Sequence, residues 1–167
     1  ATDAPLFAYY EDIHKEQQIE EIFHNRLLEA YNNYLIIGGM PECVSSWLKQ
    51  MAGIDNSAIL LKSTYQFKGQ LTENYVLQQL RGQFDVMPRY FSSRNGEIDF
   101  VLQYGMDIIP VETKGGEDKS APTFKKYVAD NHPLYAVRFS KMGYRKDGNI
   151  TNIPLYLVGK TKELLGG

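Results

Sequence analysis

The stretch from Gly96 to Lys114 constrains this chain most. Gly-Glu-Ile-Asp-Phe-Val-Leu-Gln-Tyr-Gly-Met-Asp-Ile-Ile-Pro-Val-Glu-Thr-Lys predicts two β-strands joined by a tight turn. Ile98, Phe100 and Leu102 alternate with Asp99 and Val101 in the first strand, and Ile109 and Val111 alternate with Glu112 and Lys114 in the second. Tyr104-Gly105-Met106-Asp107 supplies the turn, with Gly105 free to take a positive φ. Side chains two apart on a strand share a face, so Glu112 and Lys114 point the same way, and Asp99 joins them if the register allows. Charged strand residues usually mark a solvated face. Here they stand in a run apolar enough for a central strand, which has little solvated face.

The remaining chain frames this pair. Over residues 10–34 Ile19, Phe23, Leu27, Tyr31 and Tyr34 recur at helical spacing, after an irregular start over residues 1–8. Gly38-Gly39 stops that helix, and Pro41 and Glu42 open a second one with Val44, Trp47, Leu48 and Met51 as its packing face. Residues 52–69 carry no sustained period and read as a boundary, dividing a helical N-terminal segment, 1–60, from a second domain, 61–167. A helix over 69–81 has Val76, Leu77 and Leu80 as its stripe, and helical steps backwards put Glu73 on it, ended by Gly82. A carboxylate facing a core costs several kcal/mol unless paired, protonated or metal-bound. Beyond it come a strand over 87–92, a turn at 93–96, the organising pair, a helix over 121–130 capped by Ser120, a strand over 134–139, a basic loop over 141–152 and a last strand over 153–158. The order predicts an α/β (α+β) fold, a mixed sheet flanked by helices.

Composition narrows the partners. Residues 1–60 hold 3 Lys+Arg against 9 Asp+Glu, and residues 61–167 hold 15 against 11, so the basic excess shares its half of the chain with Asp99, Glu112 and Lys114. The net charge of −2 argues against a generic nucleic-acid binder, but the asymmetry permits a polyanion partner such as DNA on the basic half and a protein contact on the acidic N-terminal part. No apolar run approaches the ~20 residues that cross a bilayer, and the single cysteine, Cys43, excludes an internal disulfide, which favours a reducing, cytoplasmic setting. Gly159-Lys160-Thr161 lacks the upstream glycine of a phosphate-binding loop, and His14, His24 and His132 lack zinc-ligand spacing. The surviving constellation is Glu73, Asp99, Glu112 and Lys114. Asp99 and Glu112 offer hard oxygen donors to Mg²⁺ or Mn²⁺, Lys114 suits orienting water or stabilising a phosphoryl transition state, and Glu73 adds a ligand or holds a metal-bound water.

A helical Glu, an Asp on a strand and Glu-x-Lys on the next strand resemble the PD-(D/E)XK nuclease superfamily, whose core is an α-β-β-β-α-β unit. Leu71-Thr72-Glu73-Asn74-Tyr75-Val76, Gly96-Glu97-Ile98-Asp99-Phe100-Val101 and Ile109-Pro110-Val111-Glu112-Thr113-Lys114-Gly115-Gly116 resemble, more closely, the C-terminal domain of unknown function that follows the ATPase module of a bacterial and archaeal AAA-type ATPase family. Tyr34-Leu35-Ile36-Ile37-Gly38-Gly39-Met40-Pro41-Glu42, Ala136-Val137-Arg138-Phe139-Ser140 and Ile153-Pro154-Leu155-Tyr156 resemble its flanking helix and last strands. The resemblance implies a Mg²⁺-dependent deoxyribonuclease-like domain with catalytic Glu73, Asp99, Glu112 and Lys114, working with an ATPase region or partner. No Walker motif occurs in this chain, and only residues 52–68 stand where the family carries a long helical segment. The alternative is a non-catalytic DNA-binding or protein-interaction module that regulates an ATPase.

Overall fold

The computed structural model describes residues 3–38, 68–93, 96–115 and 121–166. The expectations for a helix opening at Pro41 with Trp47 inward, for Cys43, for residues 52–67, for the turn at 94–95 and for Ser120 lie outside the described residues.

Six strands form one mixed sheet: β1 (Arg89–Ser93), β2 (Gly96–Tyr104), β3 (Asp107–Thr113), β4 (Ala136–Ser140), β5 (Arg145–Asp147) and β6 (Ile150–Pro154), in the order β1-β2-β3-β4-β6-β5. The three strands β1, β2 and β3 pair antiparallel, β3–β4 and β4–β6 pair parallel, and β5–β6 is antiparallel. The organising pair forms as the alternation requires, with Tyr104 opposite Asp107 and Gly105 at φ 61° in the turn.

Helices cover both faces. On one, α3 (Lys68–Gln83) lies with α1 (Ala4–Glu11), α2 (Glu21–Ile37), a 3₁₀ helix (Leu155–Lys160) and α5 (Thr161–Leu165). Their core joins Leu6, Ile13, Leu27, Tyr31, Val76 and Leu80 to Ile109, Val111, Val137, Phe139 and Ile153 of the sheet. On the other face α4 (Pro122–Asn131) sets Phe124 and Val128 against Ile98, Ala136 and Ile150. Gly96, at φ 123°, lets α4 come close: a Cβ there would overlap the side chain of Thr123.

Several elements depart from the sequence reading, each for a local reason. The expected helix over 10–34 is two helices. Asp3 caps α1 by accepting from Leu6 N, with Pro5 in the first turn, and Lys160 ends it by donating to the carbonyls of Tyr10, Glu11 and Ile13 at 3.3, 2.8 and 3.0 Å. The chain then turns through Glu16, at φ 63°, before α2 begins. Tyr9 stacks on Phe23 at 3.8 Å and holds the two helices together. Helix α3 passes Gly82 to Gln83, whose amide donates to Gln79 O and Val158 O at 2.8 and 2.7 Å. Helix α4 has Ala121 at its N-cap without a side-chain cap. The basic loop is largely the β5–β6 hairpin, turning at Gly148 with φ 60°. Residues 155–158, expected as strand, form the 3₁₀ helix and are buried on every side, so they carried no alternation to read.

Candidate functional site

Two irregularities of the sheet place Asp99 and Glu112. Between Arg89 and Phe91 of β1 there is one residue, whereas their partners on β2, Val101 and Ile98, are separated by two, Phe100 and Asp99. This is a β-bulge, which bends a strand and re-aims its side chains. It explains why Ile98 packs under α4 while Leu102 packs in the α3-side core. The β2–β3 ladder ends at Phe100 opposite Val111, and β3 there takes up its parallel pairing with β4, Val111 opposite Val137 and Glu112 opposite Arg138. Where the backbone ladder stops, the Asp99 carboxylate takes over: its Oδ2 accepts from Thr113 N at 2.6 Å. Lys114 N in turn donates to Phe139 O at 2.8 Å, fixing the end of β3 against β4.

The side chains converge at this opening. Lys114 Nζ pairs with Glu112 Oε1 at 2.7 Å. Glu112 is buried, and burial raises its pKa above the ordinary range, against the Lys114 hydrogen bond; Asp99 adds repulsion, and Lys114 and Arg138 oppose it. The Asp99 carboxyl is raised chiefly by burial, and the Thr113 N–H and the Lys114 charge pull it back. The repulsion between the two carboxyls belongs to the pair and adds to the rise that burial causes.

Glu73 arrives from α3 and corrects the sequence reading. The buried stripe is Thr72, Val76 and Leu80, with Leu77 only half-buried. Glu73 lies near the angular range of Leu80, two turns earlier, but the residue is exposed, so the cost of a core-facing carboxylate does not arise. Its carboxyl is the partly withdrawn end: desolvation raises its pKa, Asp99 adds to the rise and Lys114 opposes it. Glu73 thus acts electrostatically on Asp99 and Lys114, which in turn act on Glu112.

Among the described residues no group of three or more His, Cys, Asp or Glu side chains is placed to hold a metal ion. A hard divalent cation needs less, since Mg²⁺ keeps several waters and binds through one or two carboxylates. Asp99 and Glu112 offer oxygen donors only, the donor chemistry such an ion takes, and burial raises both carboxyls. Lys126 and Lys146, in the basic half, are ion-paired with Asp130 and Glu16 at 3.1 and 3.2 Å. Lys160 is a helix-capping residue, so Gly159-Lys160-Thr161 has a structural role.

The sequence reading passed over a polar row on the same strands. Arg138 of β4 stands opposite Glu112 on one side and Asn152 of β6 on the other, and Asn152 stands opposite Arg145 of β5. Arg138 and Asn152 are both buried. An arginine flanked by Val137 and Phe139 in an otherwise apolar strand was the available signal.

No curated protein and no solved structure matches the chain. Among the described residues no helix is long and apolar enough to cross a membrane. The family described as Domain of unknown function (DUF4143) matches residues 68–158, which run from α3 through the sheet to the 3₁₀ helix and include every residue of the site. With more than half of its length matched, the chain belongs to the DUF4143 family.

Proposed function

We propose that this domain is a metal-dependent phosphodiesterase of nucleic acid, of the PD-(D/E)XK kind, working beside an AAA-type ATPase. The observation that carries the reading is the convergence of Asp99, Glu112 and Lys114 where β2 parts from β3, with the Asp99 carboxylate held by Thr113 N rather than by chance rotamer. Asp99 and Glu112 are the residues to hold Mg²⁺ or Mn²⁺, which when bound supplies charge neutralisation at the phosphate and a more acidic water.

The chain's own residues do the rest. Thr113 N–H fixes one carboxylate oxygen of Asp99 and leaves the other for a ligand. In the resting chain Glu112 keeps the Lys114 ammonium at 2.7 Å, beside the carboxylates, where it can stabilise negative charge that develops on a phosphate. Glu73, at the exposed rim, can accept a hydrogen bond from water on that side. The acidic N-terminal part is the natural side for an ATPase contact.

Incubation with supercoiled and single-stranded DNA in Mg²⁺ or Mn²⁺ tests the reading. Nicking or degradation is expected, and Glu112→Gln or Lys114→Ala should lower it by about 10²-fold or more while the circular dichroism spectrum is unchanged. Cleavage that persists in Glu112→Gln would refute the mechanism. DNA binding that survives both substitutions, with no cleavage in the wild type, would identify an interaction module instead.

A further inference from the structure

Arg138 is 3% exposed, more deeply buried than Glu112 at 6%. Its Nε donates to Asn152 Oδ1 at 3.0 Å. Asn152 is itself fully engaged: the same Oδ1 accepts from Ser140 Oγ at 2.7 Å, and its Nδ2 donates to the carbonyls of Met142 and Gly143 at 3.3 and 3.0 Å. The guanidinium is thus clamped by an amide with no freedom to turn. Its Nη2 nevertheless is buried without a hydrogen-bond partner among the described residues.

A cation in this position is expensive, because a buried guanidinium short of acceptors gives up hydration without replacement. Its surroundings do not offset the cost. Glu112 faces it across the β3–β4 register but is already paired with Lys114, and Arg145 on β5 repels it while Asp147 attracts it. Packing needs do not explain it either, since an apolar side chain of similar size would fill the strand position. What the arrangement lacks is one oxygen acceptor at Nη2. Planar guanidinium groups with donors to spare are the usual partners of phosphate.

We propose that Arg138 is an anion-binding group of this site, its Nη2 receiving a phosphate oxygen, and that the phosphate is the phosphodiester of a nucleic acid. The identity of the ligand rests on the phosphodiesterase reading; the existence of the anion site does not. Asn152 and Ser140 are positioning residues that hold the guanidinium. Because Nη2 is shielded from solvent in the unliganded chain, binding requires local opening and is expected to be weak for a small anion.

The test uses the intact chain in EDTA, titrated separately with inorganic phosphate and with the dinucleotide TpT, which carries one phosphodiester. The readout is the Arg138 Nε–Hε resonance in ¹⁵N-labelled protein. Saturable movement with both ligands, and none with chloride at equal ionic strength, is expected. Arg138→Met, which keeps the volume and removes the charge, should weaken binding about tenfold or more. A resonance that stays still with both ligands, or Arg138→Met binding as tightly as the wild type, overturns the proposal. A response to inorganic phosphate but not to TpT overturns the phosphodiester assignment. If the variant does not fold, the wild-type resonance still decides. The titration holds no divalent ion, so anion binding without Mg²⁺-dependent cleavage sinks the phosphodiesterase reading alone, and cleavage with a static Arg138 resonance sinks this one alone.

Discussion

The two faces of the central strands are both buried, one largely apolar and the other part apolar under α4 and part polar. Toward α3, Ile109, Val111, Val137, Phe139 and Ile153 form an apolar layer with at most 1% exposure. On the alternate positions of the same strands stand Glu112, Arg138, Ser140 and Asn152, all buried and all polar. The first layer gains free energy from removing apolar surface from water. The second must recover lost hydration through Lys114, Asn152 and backbone carbonyls, and at Nη2 of Arg138 it falls short. Strands β3, β4 and β6 all belong to both layers, β4 with Val137 and Phe139 on one side and Arg138 and Ser140 on the other. The α3-side face is largely apolar, while the α4-side face combines the Phe124, Ala136 and Ile150 cluster with a row of polar groups that must find partners.

The comparison breaks most visibly at Phe139. Phe139→Ala should cost about 3–5 kcal/mol, seen as a lower denaturation midpoint with the slope preserved. A loss below about 1 kcal/mol would mean that the α3-side layer does not carry the fold.

A smaller effect is expected at Gly96, where close approach of α4 replaces apolar area as the constraint. Gly96→Ala should cost about 2 kcal/mol, from both the positive φ and the overlap with Thr123. Adding Thr123→Ala should return the steric part and leave the backbone part. Equal stability of the single and double variants would show that α4 simply shifts.

The smallest effect sharpens the polar side. Asp99 and Glu112 have folded-state pKa values raised by burial, so their ionised forms weigh against the fold. For a raised carboxyl the folded state binds the proton more tightly than the unfolded one, so stability falls as pH rises through the window between the ordinary and the raised value. Asp99→Asn, which retains an oxygen for Thr113 N, should therefore be more stable than the wild type near neutrality by on the order of 1 kcal/mol. Acidification should narrow that gap in chemical denaturation at a series of pH values. A gap that widens instead would mean that Asp99 stabilises the fold as an anion.

What could be read from the sequence follows the same division. Alternation and turn chemistry placed β2, β3 and their turn, because each residue there answers to its immediate neighbours. Glu73, Asp99, Glu112 and Lys114 stand in the sequence as residue types at a spacing; the structure pairs Lys114 with Glu112 and leaves Glu73 exposed on α3. The bulge that re-aims Asp99 was not legible, since it depends on how β1 pairs. Arg138 was visible but unread: a charge in Ala136-Val137-Arg138-Phe139-Ser140 has meaning only once Glu112 and Asn152 are known to flank it. Two misses were avoidable. Asp3 and Pro5 signal a helix start, and Asp147-Gly148 signals a hairpin turn. The split between α1 and α2 was not avoidable, because the group that terminates α1 comes from Lys160.

That last contact bears on how the chain comes to be made. The carbonyls of Tyr10, Glu11 and Ile13 find their donor 147 to 150 residues further along the sequence. On a ribosome α1 emerges well before Lys160, and the Glu11 and Ile13 carbonyls must stay hydrated until that lysine has been synthesised. Backbone donors at Asp12 and Ile13 close part of the α1 end locally, and the Lys160 ammonium completes it once β3, β4 and β6 have been built. Contacts of such separation slow folding, and a chain halted before residue 160 lacks the ammonium that these carbonyls receive.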